Sequence, residues 1–515
     1  MIRRLRITAG RMDSFRLLTS DSALLRAARE TCAARHTRAW LVGGSVRDVL
    51  LGRAIHDFDL AVEHDAIGAA RATAARLAAP MYVLDAERDT ARIVTFDPDG
   101  VRIFIDFAGL REPTIEADLA KRDFTINAMA VDLVQPDRLI DPFGGRRDLE
   151  AGVLRAVSDR SLRDDPVRML RGVRLASGLS FRIEEQTQQF IRDAAVLIRD
   201  ASAERGRDEL AQIIGLPGAA RSLSLLDELG VLNEVLPELR ALRGVTQSPP
   251  HHWDVFEHTL RTLDVLEFLL GRAGGIEVQP RAEPPIETVP DWAWADLDRM
   301  LGPLQLTLRE HLNRILSDER PVWLMLKWAA LYHDAGKPST RSLDSDGRIR
   351  NFGHEEVGAE MIAGRLRALR FSGDEAAYAT AIVRHHMRPH HLANNGASRR
   401  AVYRFFRDTA GAGVAVLLHA LADDLATNGP DLAAADWTHR LELTREMLAD
   451  YFNRRKETID PQPLITGHDI MDALELRPGP EVGRVLEAIR EAQAAGEVHT
   501  REEALALARR VMRET

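Results

Sequence analysis

The chain changes character near residue 153, and that change limits the folds open to it. Before it, short apolar runs alternate with Asp, Gly and Pro turns: TRAWLVGG, FDLAVEH, MYVLD, ARIVTF and VRIFIDFA. Runs of this length, rich in β-branched and aromatic residues and bounded by turn formers, read as strands. Residues 14–36 and 66–79, rich in Ala, read as helices among them. Beyond 153 the strand pattern stops, and a helical periodicity of Ala, Leu and Arg continues nearly to the end. The expected architecture is α+β first, a small mixed sheet with helices, and all-α afterwards. One stretch breaks the helical pattern: 273–292, rich in Pro, Gly and acidic residues, reads as an exposed insertion. A chain of 515 residues has room for several cores. Four domains are expected, at 1–152, 153–240, 241–450 (with the insertion near 273–305) and 451–515.

Composition enters mainly by exclusion. No apolar run approaches the length of a membrane span, so no membrane association is expected. The opening MIRRLRITAGR has no apolar stretch behind its basic residues, which does not fit a secretory signal and reads as a disordered leader. A single cysteine, Cys32, leaves no intrachain disulfide or cysteine-cluster metal site, and a cytoplasmic location is expected. The net charge of −9 argues weakly against nucleic-acid binding, but Arg clusters in 146–174 and 199–207. Nothing in the composition bears on oligomeric state.

The segment LVGGSVRDVLLGRAIHDFDLAV sets a strand, a Gly-Gly turn, a helix and then Asp57-Phe58-Asp59 on the next strand. Residues two apart in a strand point the same way, so Asp57 and Asp59 present paired carboxylates, the hard oxygen donors that Mg²⁺ requires. Metals held so can bind a triphosphate and assist in-line attack by a hydroxyl. Gly43 and Gly44 allow the backbone close to phosphates, and Asp106 in RIFIDFA is a candidate third carboxylate. A lone DxD is a weak signal. Here GGSVRD stands just upstream and KRDFTINAMA downstream.

Together, LVGGSVRDVLLG…DFDLAV, DLAKRDFTINAMAVD, DPFGGRRDL and DDPVRMLRGVRLA resemble, in order and spacing, the class II tRNA nucleotidyltransferase and bacterial poly(A) polymerase superfamily over residues 38–235. The resemblance implies a nucleotidyltransferase head, then a helical neck. It implies triphosphate contacts from Gly44 and Arg47, and catalytic metals on Asp57 and Asp59. Arg122 and Asp123 would contact the nucleotide and its ribose. Asp165 and Arg168 would read the incoming base, followed by Arg171 and Arg174 on the same side of a helix. An i,i+3 salt bridge is the plainer account of Asp165–Arg168 taken alone. Glu204 and Arg205, in ERGRDELAQII, carry structural weight only. The family's Glu is Asp164 here, and the stretch between FIDFA and KRDFT is short, as in members that add only CC. The implied partners are tRNA, CTP and ATP.

The second half scatters metal-ligand types: His258, His333-Asp334, His354, His385-His386 and Asp423, all in or beside expected helices. Imidazoles and carboxylates suit Mn, Fe, Ni or Zn, one ion or two, and a bound ion generates hydroxide from water. Lys337 is placed to neutralise a phosphate. The set resembles the HD phosphohydrolase superfamily: His258, His333, Asp334 and Asp423 match its minimal pattern, and His354, His385 and His386 match that of dinuclear members. This implies hydrolysis of 2′,3′-cyclic phosphates or phosphomonoesters. The C-terminal tail reads as short helices without chemistry. The expected function is addition of C and A to tRNA 3′ ends. The alternatives are a CC-adding enzyme, a poly(A) polymerase, and an RNA-binding module attached to an active HD hydrolase.

Overall fold

The computed structural model describes residues 22–97, 100–274 and 289–513. The leader and residues 14–21 of the first expected helix lie outside them. Contacts divide the chain into two compact units, Met1–Ala201 with Leu229–Val231, and Ser202–Glu228 with Leu232–Thr515. The stretch 153–240 contributes to both. Among the described residues no single helix is long and apolar enough to cross a membrane.

The first unit is built on one seven-stranded mixed sheet. The five strands legible in the sequence are β1 (Ala39–Val42), β2 (Asp57–Val62), β3 (Met81–Asp85), β4 (Thr90–Phe96) and β5 (Arg102–Gly109). Two more, β6 (Ala130–Asp132) and β7 (Leu139–Ile140), extend the order to β3-β4-β5-β2-β1-β6-β7. Only β2 and β5 run parallel; the other neighbours are antiparallel. In β2, Phe58 and Leu60 are buried while Asp57 and Asp59 alternate with them onto the other face. Ile105 and Phe107 of β5 stand opposite Phe58 and Leu60 in register and are fully buried, so Asp106 lies level with Asp59. The helices of this unit are α1 (Ala23–Ala34), α2 (Gly44–Leu50), α3 (Ala66–Leu77), the short α4 (Ile115–Leu119) and α5 (Val167–Leu179) among others. Ser22 caps α1 by accepting from the Leu25 N–H, which sets where that helix begins.

The second unit is helical. Its central rod is α8 (Val322–Tyr332), following α6 (Val255–Gly274) and α7 (Asp291–Leu301). The α8 sequence VWLMLKWAALY is apolar nearly all round and buried on nearly every side, as an interior helix must be. Its one cation, Lys327, is neutralised by Glu267 at 2.9 Å and donates to the Leu216 carbonyl at 3.0 Å. Around it stand α9 (His354–Ala368), α10 (Gly373–His385) and α11 (Gly413–Asn428). The tail packs a core of its own from Ile465, Ile470, Val482, Val485 and Ile489.

Two expectations need correction. Strands do not end at 153: Val153–Leu154 pairs with Arg182–Ile183, and two hairpin ladders, Ile315–Ser317 with Arg320–Pro321 and Ser342–Leu343 with Ile349–Arg350, interrupt the helices. Pairs of two or three residues are too short to show a period of two. The insertion is also smaller than expected. Ala273 and Gly274 finish α6, and α7 from Asp291 buries Trp294 and Leu297. Only residues 275–288 of it lie outside the described residues.

Candidate functional sites

Site one lies on the polar face of β2. Ser45, on the first turn of α2, donates from its Oγ to the Asp57 carbonyl and accepts from the Asp59 N–H, both at 2.9 Å. The turn before α2 is thereby tied to the backbone that carries both carboxylates. Gly43 makes that turn with φ +68°, where an L side chain is strained. A Cβ there would sit 2.7 Å from Arg122 Nη1 and 3.7 Å from Asp59 Oδ2. The turn, the guanidinium and the carboxylate therefore converge on one small space. Asp106, level with Asp59, accepts two bonds of 2.7 Å from Arg92. Burial, with the neighbouring charges of Asp106 and Asp57, pushes the Asp59 carboxyl up to about 6, against the downward pull of Arg122 and Arg92. A carboxyl crowded by like charges is one that a divalent cation would relieve, so Asp57 and Asp59 fit a metal chemically.

A second line of side chains leads away from this point. Arg47 donates to the Asn127 Oδ1 at 2.8 Å, the Asn127 amide donates to Asp123 Oδ1 at 3.1 Å, and Arg171 approaches Asp123 Oδ2 at 3.6 Å. Asp165 follows the helix Asp159–Asp164 as its C-cap, with Pro166 then capping α5, and meets Arg168 Nε at 3.5 Å across that junction. Arg168 also donates to the Ser161 carbonyl at 3.0 Å. Close approach is made possible by Gly172, where a Cβ would fall 2.8 Å from the Phe124 ring. Arg174 follows one turn after Arg171, half-buried. Sequence reasoning missed Ser45, Arg92 and Asn127. The signal for Asn127 was its place four residues after Asp123 inside the quoted KRDFTINAMA.

Site two lies in the second unit. His258 from α6, His333 and Asp334 after α8, His354 at the start of α9, His386 after α10 and Asp423 on α11 converge, all buried. Asp334 divides them into two groups. Its Oδ2 lies 3.2 Å from His333 Nε2 and 3.5 Å from His258 Nε2; its Oδ1 lies 3.4 Å from His354 Nε2. Asp423 Oδ1 is 3.0 Å from His258 Nε2, and the Nε2 atoms of His354 and His386 are 3.3 Å apart. Each of the two groups, His258–His333–Asp334 and Asp334–His354–His386, has the spacing to hold a metal ion. The tautomers fit as well: Nδ1 of His333, His354 and His386 each bonds a backbone carbonyl, of Ala330, Asn351 and Val383, at 2.7–2.8 Å, which turns the bare Nε2 inward. Among the described residues Asp334 Oδ2 and Asp423 Oδ1 accept no hydrogen bond of good angle, and their close neighbours are the Lys337 ammonium at 2.6 Å and His258 Nε2 at 3.0 Å. Burial opposes ionisation of Asp334 and Asp423, yet the adjacent His charges, with Lys337 beside Asp334, hold both well below the usual carboxylate range.

His385 is not part of either group. It is half-buried, next to Arg388 and Asp408. Adjacent helical residues point about 100° apart, so only one of a His-His pair can face a given point. Asp424 turns instead to Arg440 and Asn428. Lys337 lies 2.6 Å from Asp334 Oδ2 and donates to the Gln247 Oε1 at 2.7 Å. Two further imidazoles were not anticipated as part of the cluster. His251 packs edge-on against His258, and burial pushes it down to about 3. His419 lies against His333 and His386, fully buried, with neither ring nitrogen partnered among the described residues.

Residues 39–155 match the poly A polymerase head domain family, and 180–242 the family described as "Probable RNA and SrmB- binding site of polymerase A". Residues 356–508 match tRNA nucleotidyltransferase domain 2. An A-adding tRNA nucleotidyltransferase of Deinococcus radiodurans is 36% identical, over 93% of this chain and 96% of the relative. This chain belongs to the tRNA nucleotidyltransferase family. A CC-adding member of Thermus thermophilus is 35% identical, over 91% of this chain and 92% of the relative. The fold is shared with a CCA-adding enzyme solved with CTP, at a TM-score of 0.63 and 20% identity, over 97% of this chain and 98% of that one.

For a tRNA nucleotidyltransferase, the Arg47–Asn127–Asp123 line has a measurable consequence. Asn127→Ala is expected to lower nucleotide incorporation on the order of 10- to 100-fold through misplacement of Arg47 and Asp123. Length-resolved tRNA extension measures it, with a melting curve to register folding. Incorporation within twofold or so of wild type would detach Asn127 from the site.

Proposed function

We propose that the chain transfers CMP and AMP from CTP and ATP to the 3′ end of tRNA. The observation that carries this reading is the shared face of Asp57 and Asp59 beside the Gly43 turn and Arg122. Divalent metal on the two carboxylates would supply charge neutralisation and an activated 3′-hydroxyl. The hydroxyl oxygen bonds to the α-phosphorus of the nucleotide, and the bond to pyrophosphate breaks. Gly44 and Arg47 bind the triphosphate, Arg122 and Asp123 the nucleotide, and Asp165 with Arg168 offer acceptor and donors to the base edge. Arg171 and Arg174 line the same helix. In this reading residues 1–152 are the head and 153–240 the neck.

A second reading, addition of CC alone, is favoured by one feature. Only residues 110–114 link β5 to α4, which leaves little chain for a segment that could switch the base. The test supplies CTP alone, ATP alone and both to tRNA lacking its CCA end and to tRNA ending in CC, with products resolved at single-nucleotide length. Three added residues with both nucleotides are expected. Arrest after two selects the CC-adding reading, a single A on tRNA ending in CC selects A addition, and a long A tract selects a poly(A) polymerase.

The second site supports a further activity, a metal-dependent phosphohydrolase acting on 2′,3′-cyclic phosphates or phosphomonoesters. His258, His333, Asp334 and Asp423 would hold one transition-metal ion, and Asp334, His354 and His386 a second. Ions so held supply hydroxide at neutral pH. Lys337, buried at the cavity wall, offers a cation to the phosphate. Hydrolysis of adenosine 2′,3′-cyclic phosphate by protein loaded with Mn²⁺ or Ni²⁺, and its loss on chelation, is the expected result.

A further inference from the structure

The metal-ligand cluster opens into a cavity of about 470 Å³ that Asp334, His354 and Asp423 share with Lys337 and Phe352. That volume falls in the range of sites for small organic ligands, larger than a bare phosphate needs. Phe352 is 81% exposed, the most exposed large apolar side chain among the described residues. Isolated exposed apolar residues are ordinary on protein surfaces. Phe352 differs in two respects. It lines the cavity of the cluster itself, and it sits two residues before the ligand His354 on a fixed turn. That turn follows the hairpin strand Ile349–Arg350 and ends with Gly353 at φ +79°. The Asn351 carbonyl accepts from both the His354 N–H, at 3.2 Å, and its Nδ1, at 2.7 Å. The backbone that carries Phe352 is thus tied to the position of a metal-ligand candidate.

Resting on the phosphohydrolase reading above, we propose that Phe352 is a stacking platform for a nucleobase, so that this site takes a nucleotide or an RNA 3′ terminus rather than a small phosphate ester. A flat, largely exposed apolar ring, with Asn394 also lining the cavity and the Lys337 cation within it, suits a ligand with a π-face at one end and a phosphate at the other. Stacking on one ring tolerates every base, so selection falls on the presence of a base and not on its identity.

The test compares full-length wild type, Phe352→Ala and Phe352→Trp, each loaded with Mn²⁺. The substrates are adenosine 2′,3′-cyclic phosphate and ribose 2′,3′-cyclic phosphate, which lacks the base. Phe352→Ala is expected to raise KM for the nucleotide about 10-fold, leaving its kcat and the rate on the baseless compound within about twofold. Phe352→Trp is expected to restore KM, and metal content is expected to stay at the wild-type value. Equal losses on both substrates, or no change on the nucleotide, overturn the platform while leaving the hydrolase intact. Wild-type protein that binds metal yet hydrolyses neither compound overturns the hydrolase reading and the platform with it.

Discussion

Asp59→Asn is expected to abolish nucleotide addition and to make the metal-free protein more stable. Asp59 is half-buried between Asp57 and Asp106, with its carboxyl pushed up to about 6 from an ordinary 3.8. The folded state therefore holds the proton more tightly than the unfolded state does. The penalty is complete above about pH 6, shrinks as pH falls, and is gone below the unfolded value near 4. A neutral amide of the same shape removes it, a gain of roughly 1–3 kcal/mol at pH 7.5 that fades by pH 4. Transfer is expected to fall on the order of 10³-fold or more, because an amide is a poor ligand for Mg²⁺ and leaves charge uncompensated. Melting curves at both pH values without metal, beside an extension assay with Mg²⁺, check both halves. A variant less stable than wild type at pH 7.5 would mean that Asp59 is already compensated within the protein.

The second large effect concerns Asp334. Its two oxygens face different groups, Oδ2 toward His258 and His333, and Oδ1 toward His354. Asp334→Ala is therefore expected to lose both metal equivalents, whereas His386→Ala, touching only the second group, retains one. Cyclic phosphate hydrolysis by Asp334→Ala is expected to drop about 10³-fold or more. Addition to tRNA is expected to persist, because Asp57, Asp59, Arg122 and Asp165 all belong to the other unit. Elemental analysis of purified variants decides it. One ion retained by Asp334→Ala would mean that the two groups do not share this carboxylate.

Particular residues show how much of this was legible. Asp57 and Asp59 could be placed on one face because a strand's period of two is a local property. That Asp106 would lie level with Asp59, and be paired with Arg92, depends on strand pairing across forty-odd residues of chain, to which no local pattern speaks. Strand β6 hid inside AMAVD, too short to alternate. Ser45 and Asn127 are small polar residues whose roles come from what they bridge. In the second unit the HD dipeptide and its outlying ligands stood out by type and spacing, but His385 and His386 could not be separated without a helix phase. His251 and His419 join the cluster only through the packing of separate helices. The domain limits near 240 and 450 likewise rest on pattern, while contacts divide the chain between Ala201 and Ser202 and return Leu229–Val231 to the first unit.

The measurement closest to the central claim uses Asp57→Ala combined with Asp59→Ala. Wild type and the double variant would each receive Mg²⁺, CTP, ATP and tRNA lacking its CCA end, with extension resolved by length and tRNA binding measured in parallel. The account predicts extension by wild type, none by the double variant, and equal tRNA binding by both. Extension that survives in the double variant would contradict it.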